Sequence, residues 1–176
     1  MANRWRGRRA GLAIVLALAT VAASAAVLPI LGRGDARSTL AVVVRATDGT
    51  VLARVPLPAT GRFALRYRNS LYGSFAEERF AATPDGRFHL RELAADELAV
   101  LEEYYAIPGP AERAPAGDRR TWRASPAETS AFERLTIAAT KLGERTLLVP
   151  EQDPIALWRL VDRDPVVVIE LETVAR

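Results

Sequence analysis

Beyond residue 38 the chain is cut into short apolar segments, most of them closed by Gly, Pro, Asn or Asp, and this punctuation restricts it to a fold of short extended strands. Leu40 to Leu57 holds two such segments around Asp48-Gly49, a pair that tolerates the positive φ of a tight turn, so a hairpin is predicted. After a loop from Pro56 to Gly61, Phe63, Leu65 and Tyr67 alternate with Ala64, Arg66 and Arg68. That period of two turns one set to a core and the other to water. Asn69 to Ser74 reads as a polar turn, Phe75 to Ala82 as a fourth strand, and Phe88 to Leu93 as a fifth, reached through Pro84-Asp85-Gly86. Further strands are predicted at Trp122–Ala124, Phe132–Ala138, Arg145–Val149 and Val166–Val174, the last with Val167, Ile169 and Leu171 inward. Asp96 to Tyr105 carries apolar residues at helical spacing and reads as one short helix, or as a segment whose second half runs extended, while Ile155 to Val161 is a helical turn or a strand. Pro108 to Arg120 is read as a loop. The sum is an all-β domain over residues 38–175, an antiparallel sandwich or partly open barrel of about nine short strands.

The first 33 residues follow a different rule. Arg4, Arg6, Arg8 and Arg9 precede an uncharged run from Ala10 to Gly32. At about 1.5 Å per residue, a helix over residues 10–32 would reach roughly 35 Å, enough for a hydrocarbon core of about 30 Å. The expected topology is a single-pass anchor with the arginines cytoplasmic and the domain extracytoplasmic. Ala23-Ser24-Ala25 would also suit a signal peptidase, so secretion after cleavage is the alternative, although Val27, Leu28, Ile30 and Leu31 extend the apolar run past that point. Residues 1–26 hold four arginines and no acid, so without them 24 basic residues fall to 20 against 21 acidic ones and the net charge of +3 becomes −1. The basic balance thus belongs to the targeting segment, and no nucleic-acid partner is expected.

Composition excludes several chemistries. With no Cys and one His there is no disulfide framework, no thiol nucleophile and no zinc finger, and no metal or cofactor is expected. His89 sits between Phe88 and Leu90 and faces away from them, without a second imidazole to share a ligand. Ser70 lacks a base within its local pattern. Glu102, Glu103, Tyr104 and Tyr105 suit either a glycan-binding surface or the two faces of one element, and the second is the simpler reading. The candidate ligand-binding residues are Arg66, Arg68, Asn69, Ser70, Glu77 and Glu78, gathered at one end if the third and fourth strands form a hairpin. Arg forks there would hold a carboxylate, or else the same residues form cross-strand ion pairs of Arg66 or Arg68 with Glu78.

Pro56, Leu57, Gly61, Phe63, Leu65 and Tyr67, the following Asn69-Ser70, Glu77-Glu78 before Phe80, and the Asp85-Gly86 turn together resemble the domain of unknown function 1850 family, bacterial proteins associated with TAXI-type TRAP transporter permeases. The resemblance extends over roughly Leu40 to Leu171 and is sharp from Pro56 to Leu93. It implies an accessory role beside a TAXI-type permease or its solute receptor, and it implies no established activity. Family members usually have His-Ser where this chain has Asn69-Ser70, so a proton-transfer role does not carry over, because an amide does not titrate. Two alternatives stand beside it: a stand-alone envelope module binding a small carboxylate or sugar, and an envelope hydrolase using Glu77 or Glu78.

Overall fold

Twelve antiparallel strands in two sheets make up the computed structural model, which describes residues 39–105, 110–126, 131–162 and 165–174. The expected signal or anchor helix over residues 1–33 lies outside the described residues. Among the described residues no helix is long and apolar enough to cross a membrane.

The smaller sheet has the order β2-β1-β12-β9, formed by Val51–Pro56, Thr39–Ala46, Val166–Val174 and Arg134–Ala138. The larger runs β11-β10-β3-β4-β5-β7-β6, with β8 also on β5. Its central strands are Arg62–Arg68 (β3), Phe75–Ala82 (β4) and Phe88–Ala95 (β5), flanked by Thr146–Leu148 (β10) and Trp122–Ala124 (β7). The three strands beyond the expected nine have two residues each: Glu112–Arg113 (β6), Ala131–Phe132 (β8) and Ile155–Ala156 (β11). Pieces that short carry no periodicity to read.

The predicted strand Phe132–Ala138 is in fact two, divided at Glu133, because β8 pairs with β5 in one sheet and β9 with β12 in the other. The chain thus passes from the larger sheet to the smaller at that residue. The predicted helix Asp96–Tyr105 is present as a short helical segment over residues 98–104, wound into a wide turn over Val100–Tyr104, where the Tyr105 N–H donates to the Val100 carbonyl at 3.2 Å. The ladder with β4 holds β5 extended as far as Ala95, and the Asp96 N–H still donates to the Phe75 carbonyl at 3.0 Å, so helical winding begins only after them. Ile155 to Val161 combines both expected forms, β11 followed by a 3₁₀ turn at Leu157–Arg159.

Between the sheets, Phe63, Phe80 and Phe88 form an aromatic core, with Phe63 stacked on Phe80 at 5.1 Å and Phe88 edge-on to both. Val42, Val44, Val167 and Ile169 close over it from the smaller sheet, each fully buried. Leu171 is half-buried on the same face, as its alternation predicts. In a second cluster, Val100 and Leu101 of the wide turn are buried together with Tyr67 and Leu93.

Two local features shape the outer face of the larger sheet. Phe80 pairs with Leu90 while Arg79 pairs with Glu92, so Arg91 is an extra residue in a β-bulge. Gly61 has φ +62°, and a Cβ there would lie 3.1 Å from the Ala82 Cβ. Gly61→Ala is therefore expected to destabilise the fold by about 1–2 kcal/mol, since the left-handed region penalises a Cβ even before this crowding. Urea denaturation checks it: the midpoint should fall with the slope unchanged.

Candidate functional site

The residues grouped by sequence do not converge on one point. Glu77 and Glu78 are neighbours on β4, so they project to opposite faces of the sheet. Glu78 lies among the inner-face side chains, where the Tyr105 hydroxyl donates to it at 2.8 Å and Arg145 at 3.2 Å. The Tyr67 hydroxyl donates in turn to that of Tyr105 at 2.9 Å, and the Arg145 guanidinium lies 5.0 Å from the Tyr67 ring. Burial raises the Tyr67 hydroxyl to about 12, partly offset by its bond to Tyr105, and raises Tyr105 as well, with the Glu78 charge adding to the effect. Both phenols therefore stay protonated and act as donors.

Asn69 is buried and organises the turn between β3 and β4, its Oδ1 accepting from the Leu71 and Tyr72 N–H groups at 2.9 and 3.2 Å. Ser70 is exposed in that turn. Arg68 reaches the Gly73 carbonyl and Glu144, at 3.3 and 3.5 Å. Arg66 donates to Thr146 at 3.5 Å and lies 5.1 Å from the Phe75 ring. The expected pairing of Arg66 or Arg68 with Glu78 does not form. Arg66 and Arg68 belong to the outer face, and Glu78 to the inner one.

Glu77, on the outer face, is wholly buried and ringed by arginines. Arg119 donates to it through two nitrogens at 2.9 and 2.8 Å, Arg79 at 3.0 Å, and Arg120 Nε lies 3.3 Å away. Arg79 also holds Glu92 at 2.7 Å and, through a two-bond fork, Asp118 at 2.8 and 2.6 Å. Arg120 continues to Asp96 at 2.7 Å. Local geometry explains this assembly. Glu77 and Arg79 share a face by the period of two, and Glu92 stands opposite Arg79 on β5. Asp118, Arg119 and Arg120 come from the connection between β6 and β7, closed by the Ala114 N–H on the Thr121 carbonyl and turned at Gly117, φ +86°.

Burial by itself would raise the Glu77 carboxyl, but the bonds and charges of Arg119 and Arg79 outweigh it and hold the group below the ordinary glutamate value. Asp118 is held at about 2, chiefly by its bonds from Arg79. Both acids are therefore ionised counter-ions across the physiological range.

Between the 117–119 loop and the segment Leu148–Pro154 lies an open groove of about 670 Å³. Ala64 contributes to its floor, and its arginines are Arg62, Arg79, Arg91, Arg119 and Arg123. The prediction that the Ala64 face of β3 meets water is thus corrected in part: Ala64 is 4% exposed beneath these two flanking segments. Arg62 and Arg91 are exposed. His89 is half-buried on the outer face, opposite Ala81 and Ala131. Among the described residues no group of three His, Cys, Asp or Glu is placed to hold a metal ion.

Sequence reasoning passed over Arg62, Arg79, Arg91 and the 118–120 run. The alternation of β4 could have joined Arg79 to Glu77, but nothing local announces that a loop more than 40 residues away, |i−j| = 42 for Arg119, returns to the same carboxylate. Comparisons with protein-family models, with curated proteins and with solved structures find no match to this chain.

Proposed function

We propose that this protein is an extracytoplasmic binding domain, tethered through residues 10–32, that serves as an accessory to a TAXI-type TRAP solute uptake system. The observation that carries binding over catalysis is the state of Glu77, the acid a hydrolase would use. It is wholly buried, bonded to two guanidiniums with a third beside it, and held ionised, so it has neither the access nor the proton affinity of a general acid. Glu78 is likewise occupied by Tyr105 and Arg145. The partner reading is supported by the resemblance between Pro56 and Leu93, the stretch that supplies β3, β4 and β5, and by the basic-then-apolar N-terminus.

The test is purification of the tagged full-length chain from native membranes in mild detergent. A multi-span permease or its solute receptor is expected to co-elute. Recovery of the chain alone, with neither protein enriched over an untagged control, would overturn the accessory role. A second reading is the same domain acting alone on a small solute. The groove favours it, and its arginines favour a carboxylate over a neutral sugar.

A further inference from the structure

The groove on the outer face of the larger sheet holds two kinds of arginine. Arg79, Arg119 and Arg123 have their charges met by Glu77, Glu92, Asp118 and Glu112, at separations between 2.6 and 3.6 Å. Arg62 and Arg91 are exposed and make no ion pair or side-chain hydrogen bond among the described residues. They serve no visible purpose in the fold, yet both face one cavity.

Their placement has a spacing. Arg62 is on β3 and Arg91 is on β5, with β4 between them. Two inter-strand steps, with a further offset along the strands because Arg62 is level with His89 and not with Arg91, put their backbones roughly 11 Å apart. Arg62 is level with Ala81 on β4, whereas Arg91 is inserted between the levels of Arg79 and Phe80, so Ala81 and the ion-paired Arg79 lie between them on the outer face, with Ala64 two residues along β3 from Arg62. The small side chains of Ala81 and Ala64 leave room for a ligand beside Arg79, whose charge is already met by Glu77, Glu92 and Asp118. The bulge matters here: Arg91 is the inserted residue, outside the regular alternation of β5 and without a cross-strand partner on β4.

We infer that this groove binds a small dicarboxylate, one carboxylate on Arg62 and the other on Arg91, an inference that rests on the small-carboxylate reading above. A guanidinium fork matches a carboxylate in shape and charge, and two forks on separate strands select a ligand with two separated anionic ends over a compact anion. Arg119, half-exposed at the groove wall while bonded to Glu77, supplies further positive potential. Glu151, on the rim formed by the 148–154 segment, is the one lining acid with no ion pair among the described residues. Its charge opposes a dianion and limits the affinity.

The experiment is isothermal titration of the full-length chain in detergent with succinate, glutarate and adipate, with butyrate and inorganic phosphate as the other arms. One of the dicarboxylates is expected to bind at least about tenfold tighter than butyrate or phosphate, with affinity falling as salt rises. Arg62→Gln and Arg91→Gln should each weaken that binding by about tenfold, since each removes one charge-assisted contact. Neither residue holds the fold, so thermal unfolding should be unchanged in both. Arg87→Gln, in the hairpin beside Asp85, should bind as the parent does. Glu151→Gln should tighten binding of the dicarboxylate; weaker binding in that variant would mean that the ligand presents a cation to this rim, and would overturn the assignment. Binding unaffected by Arg62→Gln and Arg91→Gln would also overturn it, as would the absence of dicarboxylate binding. Equal affinity for butyrate overturns the two-ended ligand but leaves the general carboxylate reading standing. Co-elution with a permease is read independently of all these outcomes.

Discussion

Phe88→Ala is expected to remove about 4 kcal/mol of unfolding free energy and to lower the melting temperature by roughly 10 °C. Phe88 is fully buried, with ring centroids of Phe63, Phe80 and Phe132 at 5.3, 5.6 and 5.9 Å. Those rings belong to three other strands, β3, β4 and β8. Alanine would leave a cavity that four strands would have to close together, and a β-sandwich core relaxes only partly around such a void. Phe88→Leu keeps most of the buried apolar area and should cost less than half as much. Equilibrium urea unfolding of both variants is the check, and equal losses would show that ring packing does not set the cost.

The second large effect is electrostatic. Glu77→Gln keeps the volume of the side chain and deletes its charge, leaving Arg79, Arg119 and Arg120 around a neutral amide. A loss of about 3 kcal/mol is expected, the lower end for breaking a buried ion pair, because Arg119 is exposed enough to regain water and Arg79 retains Glu92 and Asp118. The pH dependence gives an independent readout. Because Glu77 is harder to protonate folded than unfolded, its stabilisation is present above its ordinary value of 4.5 and is lost as the pH falls through its lower folded value. The difference between parent and Glu77→Gln should therefore be full at pH 7 and shrink in acid, where a protonated Glu77 resembles glutamine. In both proteins Asp118 adds a further loss as the pH falls from its ordinary 3.8 towards about 2. A gap between the two proteins that stays constant from pH 7 to pH 3 would mean that Glu77 contributes by shape and not by charge.

The long strands were readable because each carries its own pattern. The Asp48-Gly49 turn, with Gly49 at φ +89°, and the alternation of β3 and β12 require only local rules. The allocation of strands to two sheets is not a local property. Nothing in Phe132–Ala138 marks the change of sheet at Glu133, because the change is imposed by two different partners, β5 and β12. The candidate site fared similarly. The two faces of β4 follow from alternation, which separates Glu77 from Glu78, but each draws partners from distant segments, the guanidiniums of Arg119 and Arg120 for one and the Tyr105 hydroxyl and Arg145 guanidinium for the other. Arg91 was hidden for another reason: a bulge interrupts the period by which a strand is recognised.

The larger sheet ends on β11 and β6, strands of two residues each. An open sheet edge is a template for a stranger's backbone, and its danger grows with the number of free N–H and C=O groups in a row. Here each outermost strand offers at most a few such groups. On the smaller sheet the edge strand β2 is broken by a register shift and carries Arg54 and Pro56, while the opposite edge, β9, begins with Arg134. A protein crowded among identical copies would otherwise risk joining them edge to edge. This one has its sheet margins shortened, charged or interrupted, features that oppose edge-to-edge joining of copies.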